Sequence, residues 1–219
     1  MTIEANIEAV RARVHIAAER AGRDPDGVRI VGAAKGMTPE RLKRAIAAGL
    51  LDLGENYVQE AEAHRSQLQG RGARWHCIGH LQTNKAGVAT ALFDTIHSVD
   101  SLRLAEQLSR RALTELQVFL EVNVAGEVTK YGVQPAGVSE MVSAIGRLPN
   151  LDLRGLMTMA PPLRNPEEAR PVFRELRELA LANGLVELSM GMTDDFEVAV
   201  EEGATLVRIG RAIFGERPA

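Results

Sequence analysis

Eight short apolar runs recur along this chain at intervals of about 20 to 35 residues, and helical patterns fill the gaps between them. The runs cover residues 28–34, 51–54, 75–79, 95–99, 118–124, 153–159, 186–190 and 205–209. They are rich in β-branched residues and too short for helices, so they read as strands. Strands that alternate with helices pair in parallel through right-handed crossovers. Eight such units are the count of a (β/α)8 TIM barrel. A doubly wound open sheet is the rival, and the short second and fourth runs are the weakest of the eight strands.

Helix start and stop signals agree with this rhythm. An amphipathic helix is predicted over residues 3–21, with Ile7, Val10, Val14, Ala17 and Ala18 on one face and Gly22 at its end. Thr38-Pro39-Glu40 and Asn165-Pro166-Glu167 place a cap before a proline at the first helical position. Asp194 to Glu197 has capping-box spacing, and Gly49 and Gly184 sit where helices should stop. The 219 residues suit one domain over 1–219, with no linker or low-complexity stretch to divide them.

In a TIM barrel the site lies at the C-terminal ends of the strands. Lys35 follows the first run, where partial desolvation would favour the neutral amine that forms Schiff bases. It could equally be a solvated loop cation. The runs LSMGMTDD and RIGRAIFG each pass from strand through glycine into a helical turn, at the two loops where this fold usually binds phosphate. Glycine permits close backbone approach, and amides at a helix start bind anions. Ser189, Thr193 and the amides near Gly210 and Arg211 are the candidate donors. A lysine opposite a phosphate cradle suggests a phosphorylated carbonyl compound, either pyridoxal 5'-phosphate (PLP) or a sugar phosphate handled by a Schiff-base aldolase.

Arg208 shares a strand face with Gly210. Facing inward it would lie beside the ligand, and facing outward it would pair with Glu201 or Glu202. Asn56, after the second run, could bond a ring substituent or cap the next helix. His76 and His80 share a face of the third run, but no third ligand completes a metal set. His80 could line the site. Met157, Met159, Met190 and Met192 are expected to pack near the barrel mouth, Met157 as a lining residue and Met190 beside the phosphate turn. Cys77 reads as buried and inert.

Composition excludes other classes. The net charge of −3 and 4% aromatic content argue against a nucleic-acid surface. One cysteine permits no internal disulfide, and neither a signal peptide nor a membrane span is legible, so a cytoplasmic protein is expected. GxxxxGK[ST], GxGxxG after a strand, HExxH and CxxC are all missing.

Together the segments GENYVQE, WHCIGHLQTNK, LEVNVAGEVTKYG, RGLMTM, LSMGMTDDFEVAVEEG and VRIGRAIFG resemble the pyridoxal phosphate homeostasis protein family, over nearly the whole chain. The resemblance implies a barrel related to the N-terminal domain of alanine racemase, the fold-type III PLP architecture. It implies that Lys35 carries PLP, that Ser189, Gly210 and the Arg211 amide contact the phosphate, that Asn56 lines the site and that Arg208 faces the pyridine nitrogen. Met190 and Thr193 belong to the same expected cofactor site. Family members look like carriers and regulators of PLP rather than robust enzymes. PLP-dependent apo-enzymes are conceivable partners, and a monomer is expected. Two positions depart from the family pattern. Met37 stands where a second basic residue is common, and Arg211 where a threonine is common. The expectation is PLP binding in vitamin B6 and amino-acid homeostasis without strong turnover. The rival is a PLP racemase or decarboxylase working as a dimer, with the opposing residue supplied in trans, since no second domain is expected to supply it.

Overall fold

The computed structural model describes residues 2–216 apart from Gly70, Val128 and Leu163. Strands β1 (Arg29–Ala33), β2 (Asp52–Glu55), β3 (Arg74–Cys77), β4 (Thr95–Val99), β5 (Leu116–Glu121), β6 (Leu151–Met157), β7 (Glu187–Ser189) and β8 (Leu206–Ile209) pair in sequence order. All are parallel. β8 closes on β1 with Arg29 opposite Leu206 and Gly32 opposite Ile209. The barrel, not the open sheet, is the fold.

Helices α1 (Ile3–Arg20), α2 (Pro39–Ala47), α3 (Val58–Gln67), α4 (Ala86–Leu92), α5 (Leu102–Arg111), α6 (Val138–Ile145), α7 (Arg170–Ala182), α8 (Phe196–Glu201) and α9 (Arg211–Phe214) surround it. α1 precedes the barrel and buries Ile3, Ile7, Val10, Val14, Ala17 and Ala18. It packs that stripe against α2, α8 and α9. Fully burying each large aliphatic side chain stabilises by about 1.5–3 kcal/mol. Thr2 caps α1 and Thr38 caps α2, each accepting a backbone N–H three residues on. Gly22, Gly49 and Gly184 all take positive φ past helix ends, as their positions predict. No helix among the described residues is long and apolar enough to cross a membrane.

Two expectations shift. Asn165 caps a 3-10 turn, Pro166–Ala169, before α7 begins. The capping box at Asp194 does not form. Asp195 occupies the cap position of α8, and its carboxylate instead accepts the Met192 N–H at 2.6 Å. That bond tightens the turn after β7, where Gly191 at φ +92 leaves no room for a Cβ against Ala199 and Phe196.

The side chains form two interiors. Outside the strands, a large apolar shell joins sheet to helices. Inside them a small cluster of Val31, Ile78, Phe119, Met157 and Leu206 fills the lumen, together with buried Asp52, His76, His97, Ser189 and Arg208.

Candidate functional site

β1 ends at Ala33, and a tight turn closed by Met37 N–H to Ala34 O at 2.9 Å presents Lys35 at the mouth of the barrel. Gly36 supplies the required positive φ of 71°. The turn is tied to α3 on two sides. Gly36 N–H donates to Glu60 at 3.1 Å, and His64 Nε2 donates to Met37 O at 3.0 Å. His64 in turn holds Glu55 at 2.7 Å, and that hydrogen bond raises the histidine above its usual range. Lys35 is half-buried rather than a free loop cation. Its Nζ lies 3.4 Å from the Tyr57 hydroxyl and 4.8 Å from the centre of that ring.

Lys35 borders a cavity of about 530 Å³. Met37 and Asn56 stand beside it, and Thr193, Asp194, Gly210 and Arg211 come from the loops after β7 and β8. Arg208 reaches it from the lumen, and Ala33, Ile78, Met159 and Met192 give it apolar walls. Asn56 does not cap α3, because Tyr57 takes that position and makes no side-chain cap. Gly79 packs so closely on the Asn56 backbone that a Cβ there would lie 2.5 Å from the Asn56 carbonyl oxygen. The position of Asn56 is therefore fixed by the loop after β3.

Arg208 faces inward and is 4% exposed. Its Nη1 donates to both Ser189 O and Ser189 Oγ at 2.7 Å, and Nη2 donates to Thr158 O at 2.9 Å. Burial lowers its pKa to about 10, against the opposing pull of Glu121 and Asp195. It therefore stays cationic at neutral pH. The outward alternative fails, since Glu201 and Glu202 are occupied by Arg170, with Arg174 and Arg177 also on Glu202.

Four of the expected residues do not border the cavity. Ser189 is completely buried, bonded to Arg208 and His97, and does not line the cavity. It still lies within β7, so its inward side chain sits beneath Arg208 rather than in the loop above. Met190 points the other way, into the apolar shell, and Met157 lies wholly inside the lumen cluster. Met159 and Met192 are the methionines that border the cavity. His80 falls three residues beyond the end of β3, stacks on Tyr131 at 3.5 Å and pairs with Asp100 at 3.2 Å, in a separate groove. The Arg211 guanidinium is held by Asp194, with both carboxylate oxygens at 2.6 Å, so its charge bridges the two loops.

Thr193 borders the cavity, and its hydroxyl accepts the Ala212 N–H at 3.5 Å. Arg211, the first residue of α9, borders the cavity beside it. Cys77 is buried, and burial pushes its thiol up to about 12, as expected of an inert cysteine. No cluster of three or more metal-ligating side chains occurs among the described residues. Tyr57 and the partners of Ser189 were not expected. Strand alternation, which puts every second residue in the lumen, is the signal that could have found His97 and Asp52.

Comparison with known proteins gives a consistent result. The family described as "Alanine racemase, N-terminal domain" matches residues 5–218. The "Pyridoxal phosphate homeostasis protein" of Pseudomonas aeruginosa is 44% identical, over 99% of this chain and 96% of that one. The structure of PipY from Synechococcus elongatus PCC7942, solved "with PLP bound", is similar with a TM-score of 0.86 and 33% identity, covering 98% of this chain and all of PipY. Alanine racemase of Clostridium difficile 630 shares the fold at 15% identity and a TM-score of 0.75, over 57% of its length.

Proposed function

The chain belongs to the pyridoxal phosphate homeostasis protein family, and from that premise we propose that it binds PLP as a Schiff base on Lys35. The observation that carries this reading is the joint geometry of the cavity. An amine, two glycine turns and a buried guanidinium border one space of about 530 Å³.

The residues present fit the cofactor. Lys35 offers the nucleophile for an aldehyde. Thr193 and the amides of Gly210 and Arg211 offer phosphate donors at the β7 and β8 loops, the place this fold favours. Asn56 borders the same cavity as Lys35 and offers an amide that could bond the ring's phenolic oxygen. The Arg211 side chain serves the phosphate indirectly, by tying the β7 loop to the β8 loop through Asp194.

PLP supplies an electron sink to amino-acid chemistry, and its strength depends on the charge at the pyridine nitrogen. Arg208 is cationic and a pure donor, so it disfavours a proton there. This supports a protein that holds and releases PLP in vitamin B6 and amino-acid homeostasis, with little turnover of its own. A cytoplasmic monomer that exchanges PLP with apo-enzymes is the setting this reading implies.

Borohydride reduction in the presence of PLP, followed by peptide mass mapping, tests the anchor. A pyridoxyl adduct on Lys35 is expected. An adduct distributed over surface lysines, with Lys35 unmodified, would overturn the proposal.

A further inference from the structure

A continuous line of hydrogen bonds crosses the lumen behind Arg208. Arg208 Nη1 meets Ser189 Oγ at 2.7 Å, Ser189 Oγ meets His97 Nδ1 at 2.7 Å, and His97 Nε2 meets His76 Nδ1 at 2.9 Å. His76 Nε2 then meets Asp52 Oδ1 at 2.8 Å. Arg74 anchors the far end, donating to both Asp52 oxygens at 2.7 and 2.6 Å. Ser189 and His97 are fully buried, and His76 is 1% exposed.

The hydrogens along this line can be assigned by counting. Burial pushes the Asp52 carboxyl up, but bonds from Arg74 and His76 outweigh it and hold the group well below the usual range. As a carboxylate it only accepts, so His76 carries its hydrogen on Nε2. Burial, with the charges of Arg208 and Arg29, drives His97 well below its ordinary pKa, so that ring has one hydrogen. Arg208 only donates, so Ser189 Oγ accepts from it.

Two arrangements remain. In the first, His97 donates from Nε2 to a neutral His76, and the Ser189 hydroxyl donates to His97 Nδ1. In the second, a cationic His76 donates to His97, which donates from Nδ1 to Ser189. Ser189 Oγ would then receive two donors, leaving its own hydrogen without an acceptor at His97 or Arg208. A buried hydroxyl stranded in this way is costly, and the first arrangement strands nothing.

We propose that Ser189, His97, His76 and Asp52 form a one-directional relay of hydrogen bonds that positions Arg208 as a fixed donor at the cavity. Every hydrogen in the line points toward Asp52. The serine hydrogen is committed to His97, so its oxygen always offers a lone pair to Arg208. None of the four touches the cavity, so they are positioning residues. Their effect on a cofactor rests on the PLP reading above, whereas the hydrogen assignment does not.

Long-range nitrogen–proton NMR of the imidazoles, on protein without PLP, tests the relay first. Both His76 and His97 are expected as Nε2–H tautomers with bare Nδ1 atoms. A hydrogen on His97 Nδ1 or a doubly protonated His76 would overturn it. Ser189→Ala and Asp52→Asn then cut the two ends, with thermal melting as a control on folding. Each is expected to broaden or move the His97 resonances. In Ser189→Ala, PLP affinity is expected to fall roughly tenfold and the bound cofactor's absorbance to acquire a new pH dependence. Unchanged His97 resonances in both folded variants would contradict the relay. An unchanged pH response and affinity in Ser189→Ala would contradict its effect on the cofactor. If native protein shows the expected tautomers yet binds no PLP, the relay stands and the cofactor reading fails.

Discussion

The shell between strands and helices and the lumen inside the strands are built on opposite principles. The shell is apolar throughout its buried cluster, from Ile7 on α1 to Phe173 on α7 and Phe214 on α9. The lumen shares its space between five apolar side chains and a chain of buried polar groups. Branched aliphatic residues usually dominate the interior of such barrels. Buried ionic networks are weak contributors to stability, and well-packed apolar replacements are often neutral or better. The shell therefore holds the barrel together, and the polar part of the lumen is explained by what it does at the mouth.

That division can be attacked at several points. The most drastic is Gly155→Ala on β6. Its Cβ would lie 1.8 Å from the Glu187 carbonyl oxygen, so β6 and β7 could not keep their pairing. Soluble expression and circular dichroism should show little folded protein. Phe173→Ala empties a fully buried site in the shell. It is expected to cost about 3–5 kcal/mol in urea unfolding, while PLP bound per folded molecule stays the same. An effect on binding without a loss of stability would break the comparison.

The lumen side predicts a dependence on pH. Burial and nearby Asp100 raise the Glu121 carboxyl from 4.5 to about 7, although Arg208 and Lys130 pull it down. Folded protein thus holds a proton there that the unfolded chain releases near 4.5. Stability should fall as pH rises through that window, by on the order of 3 kcal/mol from this group. Glu121→Gln should remove that slope, as unfolding measured at several pH values would show. The smallest effect is expected outside both interiors. Arg44→Ala breaks an exposed pair with Glu4 and should leave the melting temperature unchanged.

The same contrast governs what the sequence reveals. Shell residues follow helical and strand periodicity, so all eight strands and the limits of α1 are legible to within a few residues. The end of β5 is the least well placed. Residues 122–124 read as strand, but Val122 leaves β5 to bridge Val133, and Thr158 takes its carbonyl. Lys35, Asn56, Thr193, Arg208, Gly210 and Arg211 border one cavity, a grouping that strand ends meeting at one mouth make legible. Ser189 lies beneath the mouth and not at it, because strand length decides whether an inward residue reaches the mouth. His97 carries no motif at all. Its role comes from a ring 92 residues away in sequence from Ser189, a contact that only barrel closure creates.

The central claim is the anchor at the mouth. The visible spectrum of the native protein with added PLP, beside that of Lys35→Ala, tests it most directly. The account predicts a Schiff-base band in the native protein and none in the variant, with both melting at similar temperatures. An equal band in both, or none in either, would contradict it.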